Sequence, residues 1–182
     1  MKFRRINLFG GPAVGKSTQA AGIFHHLKQR GYKVELVSEI AKLWAYQCYR
    51  ISSFDQVYLC AAQMHTEDTF LRDGRSDFIV SDSPVLLTIV YARFYELECW
   101  RELFPIAAAF EREFPSLNIV IRRVEHHHNY TTTGRYQSPE EARKVDALVL
   151  QCLDMAKVPH IVLPSSEVIS HVLERINESP QE

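Results

Sequence analysis

The sequence predicts an α/β three-layer sandwich, a five-stranded parallel sheet with helices on both faces. Three observations carry that expectation. Short apolar runs alternate with helical patterns along the chain, and strands that alternate with helices pair in parallel. A glycine-rich turn stands directly between the first apolar run and the first helical pattern. With 182 residues, 46% of them hydrophobic and 24% charged, residues 1–182 have the size and composition of one globular domain.

Taken in order, Ile6-Asn7-Leu8-Phe9 reads as the first strand. Residues 16–30 read as a helix with Ala20, Ile23, Phe24 and Leu27 on one face, closed by Gly31. Val34 to Val37 is a second strand and residues 39–49 a second helix. Ser53-Phe54-Asp55-Gln56 has the form of a capping box opening a long helix, with Val57, Cys60, Ala61, Met64 and Leu71 at core spacing and Asp73-Gly74 at its end. Phe78-Ile79-Val80-Ser81 is a third strand, and Ser83-Pro84 starts a helix with proline in its first turn. The region 98–113 is expected to be helical, with Pro105 as a kink or break. Leu117 to Ile121 is a fourth strand, followed by a polar stretch. Ser138-Pro139-Glu140-Glu141 is a capping box launching a helix to about Ala156. His160 to Leu163 is a fifth strand, and a last helix runs from about Ser165 to Glu178.

Charge and composition exclude several classes. The net charge is −1, from 21 basic and 22 acidic side chains, so attachment to nucleic acid or membrane by bulk charge is not expected. No run approaches 18 apolar residues, the length a membrane helix needs. Met1-Lys2-Phe3-Arg4-Arg5 resembles a signal n-region only faintly, because Gly10-Gly11-Pro12 breaks the apolar run behind it. Cys48, Cys60, Cys99 and Cys152 are far apart and form no CxxC pair, which reads as reduced core thiols in a cytoplasmic protein.

Gly10-Gly11-Pro12-Ala13-Val14-Gly15-Lys16-Ser17 matches G-x-x-x-x-G-K-[ST]. Glycines there let the backbone wrap an anion, and the helix behind adds positive potential. Gly11, Pro12, Ala13, Val14, Gly15, Lys16, Ser17 and Thr18 are therefore the expected ATP-binding set. Lys16 is expected at the β- and γ-phosphates and Ser17 on Mg²⁺.

Two carboxylates follow strands that end at the same sheet edge. Asp82 ends the third strand and is expected to bind Mg²⁺ directly or through water, the alternative being a cap on the helix that follows. Glu39 follows the second strand and is the candidate base for an acceptor hydroxyl, or its orienter; the alternative is a first-turn acid stabilising a helix dipole. The polar stretch at about 123–137 suits a lid, in which Arg123 and Arg135, with Arg122 less favoured, are candidates to neutralise a transferring phosphoryl group. His126-His127-His128 lie within it and are read as contacts to an acidic substrate rather than as metal ligands. Trp44, Tyr46, Tyr49, Phe54 and Tyr58, with Gln56, Gln63 and His65, would suit a base held by stacking and hydrogen bonds, or else supply core, whereas Tyr91, Phe94 and Tyr95 read as packing.

These residues resemble the nucleoside and nucleotide kinase branch of P-loop proteins. Ile-Asn-Leu-Phe-Gly-Gly-Pro at 6–12, Val-Glu-Leu-Val-Ser-Glu at 34–39, Ser-Asp-Ser-Pro at 81–84 and Asn-Tyr…Gly-Arg…Glu-Glu-Ala at 129–142 are similar to small phage P-loop kinases, including 5-hydroxymethyluracil DNA kinases. The resemblance implies transfer of the ATP γ-phosphate to the hydroxymethyl group of a modified pyrimidine in DNA, in a host cytoplasm, by a monomer or homodimer. It also implies Lys16, Ser17, Glu39, Asp82 and Arg135 as the functional set. A kinase for a free deoxynucleoside or its monophosphate is the alternative. A GTPase switch is disfavoured, because Ile121-Arg122-Arg123-Val124 stands where a guanine-specifying Asn-Lys-x-Asp would follow the fourth strand.

Overall fold

The centre of the molecule is β1 (Arg5–Phe9), flanked in parallel by β3 (Phe78–Ser81) and β4 (Ser116–Arg122). Outside these lie β2 (Val34–Val37) and β5 (Ile161–Pro164), giving the order β2-β3-β1-β4-β5. The expected five-stranded parallel sheet is therefore present. This computed structural model describes residues 3–72, 74–124 and 137–178.

Two layers of helix cover the sheet. Ile6 and Leu8 of β1 and Ile119 and Ile121 of β4 pack with Ala20, Ile23 and Leu27 of α1 (Lys16–Gln29) and Val168, Val172 and Ile176 of α7 (Val168–Asn177). Phe9 and Val120 face the other way. They pack with α4 (Val85–Phe94), α5 (Trp100–Glu113) and α6 (Pro139–Met155). The period-2 alternation of a strand buried on both sides produces this split.

The second face of the sheet is not wholly apolar. Arg5, fully buried, pairs with Glu67 of α3 (Asp55–Arg72) at 3.1 Å and with Glu111 of α5. Asn7 donates to Asn118 across the sheet at 2.9 Å. This buried row changes which face of α3 turns inward. Gln56, Gln63 and Glu67 are buried beside Leu59, Cys60 and Leu71. Val57 and Ala61, expected in the core, are exposed. The helix rotates to satisfy a buried guanidinium, because an unpaired buried charge costs more than two exposed apolar side chains.

Local signals hold unevenly. The capping box at Ser138 forms, with its hydroxyl accepting from the Glu141 N–H at 3.2 Å and the Glu141 carboxylate accepting from the Ser138 N–H at 2.7 Å. The one expected at Ser53 does not. Asp55 instead accepts from the Ser52 N–H at 2.9 Å, and Ser53 takes a φ of 48°. The helix expected over 39–49 is only α2 (Ala41–Tyr46). Pro105 lies inside α5, which runs on past it to Glu113, so it does not break the helix. Of the cysteines expected in the core, the fold buries only Cys60 and Cys152 and exposes Cys48.

Candidate functional site

The phosphate loop begins where β1 ends. Gly15 closes it with a φ of 97°, left-handed backbone that favours glycine, and α1 starts at the next residue with no side-chain cap. The first N–H groups of α1 are thus left for an anion. Lys16 folds back along the loop, its ammonium donating to the Gly10 carbonyl at 2.7 Å and the Gly11 carbonyl at 2.9 Å. Burial pushes its pKa down, and the carboxylates of Glu39, Asp82 and Asp146 oppose that shift. Three acids therefore lie within electrostatic reach of this one ammonium.

Asp82 is 6% exposed. Its N–H donates to the Val37 carbonyl at 3.2 Å, which binds it to the β2 edge of the sheet. Its Oδ1 is buried and finds no hydrogen-bond partner among the described residues. The cap residue of α4 is Pro84, with no side-chain cap bond, so Asp82 is not serving as that helix's cap. A buried carboxylate oxygen left unsatisfied beside a phosphate loop is a fitting donor for a hard cation, with the Ser17 hydroxyl a second oxygen of the same kind. Glu39 precedes α2, whose cap residue is Ile40 and whose first turn holds no acid. Glu39 lies half-buried in the wall of a cavity instead.

That cavity has a volume of about 460 Å³. The phosphate loop lines one end through Pro12, Ala13, Gly15, Lys16, Ser17 and Thr18. Glu39, Ile40 and Lys42 follow along the β2 edge, then Tyr46 of α2 and Gln56 and Gln63 of α3. Gln63 is held in place, its amide donating to Glu67 at 3.0 Å and to the Ser81 hydroxyl at 3.3 Å. Tyr91 and Tyr95, read from sequence as packing, line the far wall, with Gln137 donating to the Tyr95 hydroxyl at 2.6 Å. Their spacing of four residues after Ser83-Pro84 is the signal that would have found them, since it places both on one helix face.

Other candidates are placed differently. Val14 is part of the core beneath α1 and α7 rather than of the cavity. Arg123, expected at a transferring phosphoryl group, is not among the lining residues. Its guanidinium bonds Asp146 at 2.6 Å and the Pro12 carbonyl at 2.8 Å. Arg122 is exposed at the end of β4. His65 lies on the outer side of α3, away from the cavity. Trp44 stacks on Tyr58 with ring centroids 5.6 Å apart and meets Tyr49 edge-on. Tyr46, Tyr49, Phe54 and Tyr58 are exposed, so this cluster is not core. Arg135 and His126-His127-His128 lie outside the described residues, as does most of the segment expected to form a lid. No described helix is long and apolar enough to cross a membrane.

A family model described as AAA_28, AAA domain, matches residues 5–170. No curated protein matches the chain. Among solved structures, NadR in complex with NAD and AMP-PNP superposes with a TM-score of 0.71 at 16% identity, covering 100% of this chain and 51% of that one. The chain thus spans about half the length of the NadR protein it matches. Thymidylate kinase from Ehrlichia chaffeensis gives a TM-score of 0.67 at 12% identity, over 97% of this chain and 100% of that one. Deoxyadenosine kinase from M. mycoides, with dCMP and dCDP bound, gives 0.60 at 17%, over 96% and 100%. At these identities the likeness is one of fold, that of the P-loop nucleoside and nucleotide kinases.

Proposed function

The chain belongs to the AAA_28 family of AAA domains, and from that premise we propose that it is an ATP-dependent phosphotransferase acting on an alcohol, namely the hydroxymethyl group of 5-hydroxymethyluracil in DNA. The observation that carries this reading is the convergence of Glu39 and Asp82 on Lys16, at the boundary between a phosphate loop and a cavity for an acceptor.

In this reading Lys16 exchanges the carbonyls of Gly10 and Gly11 for β- and γ-phosphate oxygens, and the loop N–H groups hold the rest of the triphosphate. Burial lowers the Lys16 pKa, and phosphate charge would oppose that shift as the three nearby carboxylates do. Ser17 and Asp82 would hold Mg²⁺, which when bound neutralises phosphate charge. Glu39 accepts the proton of the acceptor hydroxyl as its oxygen bonds to the γ-phosphorus and the bond to the ADP oxygen breaks. Arg135 is proposed on sequence alone as a further cation for the transferring group, and Arg135→Ala is expected to cost on the order of 10³ in rate.

The cavity of about 460 Å³ suits one base with its sugar and not a duplex. A base in DNA would therefore enter single-stranded or flipped. Half-buried Trp44 and exposed Tyr49, on and just after the helix whose Tyr46 lines the cavity, with exposed Tyr58 stacked on Trp44, would suit the stacking of neighbouring nucleotides. A second reading, a kinase for free deoxynucleosides or their monophosphates, is favoured by the tyrosine and glutamine lining and by the names of the similar solved structures. Radiolabelled ATP offered with modified DNA, unmodified DNA and a panel of nucleosides and monophosphates separates the two. Label on DNA containing 5-hydroxymethyluracil is the expected result. Label on free nucleotides alone replaces it with the second reading, and full-rate hydrolysis without any acceptor overturns both.

A further inference from the structure

The phosphate loop is gripped from behind by a pair of residues outside its motif. Asp146, in α6, accepts from the Gly11 N–H at 2.7 Å through Oδ1 and from Arg123 Nε at 2.6 Å through Oδ2. Arg123 Nη2 donates to Asp146 Oδ1 at 3.3 Å and to the Pro12 carbonyl at 2.8 Å. One ion pair thus holds an N–H and a C=O on successive residues of the loop. Between those two groups lies the Gly11 carbonyl, which accepts from the Lys16 ammonium at 2.9 Å.

The close approach also accounts for Gly11. The motif leaves this position open. A Cβ there would stand 2.6 Å from the Ala142 carbonyl oxygen and 2.7 Å from Asp146 Oδ1. Any side chain would push the loop off α6. The pair is only partly exposed, 20% at Arg123 and 27% at Asp146, so water screens it less than a surface pair. Its positive charge is already met by a carboxylate, and neither member lines the cavity.

We infer that Arg123 and Asp146 are positioning residues, which fix the phosphate-loop backbone at Gly11 and Pro12 in the shape that receives a triphosphate and do not themselves touch the nucleotide. The inference rests on reading the loop as an ATP site. Supporting groups of this kind hold a site in its productive geometry before ligand arrives.

The test is the affinity for a non-hydrolysable ATP analogue, which needs no acceptor, measured beside the melting temperature. It compares the full chain with Asp146→Ala, Asp146→Asn, Arg123→Ala and the double alanine variant. Each single alanine variant is expected to weaken binding on the order of tenfold, with the double variant no weaker than the worse single, because the two act through one set of contacts. Asp146→Asn, which keeps an acceptor for the Gly11 N–H, should lose less. If the alanine variants do not fold, Asp146→Asn and Arg123→Lys carry the comparison with smaller losses of the same pattern. Lower melting temperatures with unchanged affinity would reduce the pair to stability and overturn the inference. A loss at Arg123→Ala with none at Asp146→Ala would make Arg123 a direct phosphate ligand and overturn it too. A wild-type chain that binds no analogue defeats the ATP reading itself, and this inference with it.

Discussion

The two ends of the cavity are built on different terms. The phosphate end is a backbone structure fastened from several sides: Lys16 on the carbonyls of Gly10 and Gly11, Asp146 on the Gly11 N–H, Arg123 on the Pro12 carbonyl. The other end is a side-chain structure, lined by Tyr46 of a six-residue helix, itself 59% exposed, and by Gln56, Gln63, Tyr91 and Tyr95. A triphosphate is strongly anionic whatever base it carries, so preorganised N–H groups and one ammonium suit it. An acceptor is chosen by shape and edge chemistry, and flat aromatic surfaces tolerate variation there at modest energetic cost. The difference teaches that losses at the phosphate end should remove chemistry, while losses at the aromatic end should shift acceptor preference.

The sharpest break of that contrast is Lys16→Ala or Asp82→Ala. Either should abolish measurable phosphoryl transfer in a labelled-ATP assay, and retained turnover at either position would remove the phosphate end from the mechanism. Glu39→Gln comes next. It should slow single-turnover transfer by roughly 10²–10⁴ while leaving the affinity for an ATP analogue unchanged, since it removes a proton acceptor and no phosphate contact. Unchanged turnover would end its assignment as base. Trp44→Ala and Tyr58→Ala should each raise the KM for a DNA acceptor by roughly tenfold, the lower part of the range for one lost base stack, with ATP affinity and melting temperature nearly constant. A fall in melting temperature instead would mean that the cluster is structural.

The last test lies outside the cavity, in the buried pairing of Arg5, at the start of β1, with Glu111. Burial pushes the Glu111 carboxyl up to about 7, against the pull of Arg5 beside it. The folded state then holds more protons than the unfolded chain between the ordinary carboxylate range and pH 7. Stability contributed by the protonated form is present at low pH and declines as pH rises through that window. Unfolding free energy should fall by roughly 2 kcal/mol between about pH 5 and pH 8, and Glu111→Gln should flatten the slope. Urea titrations at three pH values measure it.

Much of the fold was legible because it depends on short-range pattern. Apolar runs of four or five residues, the glycine turn before Lys16 and the cap at Ser138 each act within a few positions of themselves. The candidate residues at strand ends, Glu39 and Asp82, were legible for the same reason, because strand direction alone brings them to one edge. Ser53 misled, because a capping box also needs Ser53 to adopt extended backbone, and the turn over Ser52–Asp55 gives it a positive φ.

What the sequence by itself determined is therefore the order of strands and helices and the phosphate loop, both set by periodicity and by residues that only one backbone shape accommodates. Only the tertiary structure decided that Arg5 is buried among Glu67 and Glu111, that α3 turns its glutamines inward, that Tyr91 and Tyr95 face the cavity, and that Asp146 reaches back to Gly11. Each of these joins residues tens to more than a hundred positions apart. Such pairings arise when a buried charge or an orphaned N–H must find a partner in space, and no local pattern records where that partner lies.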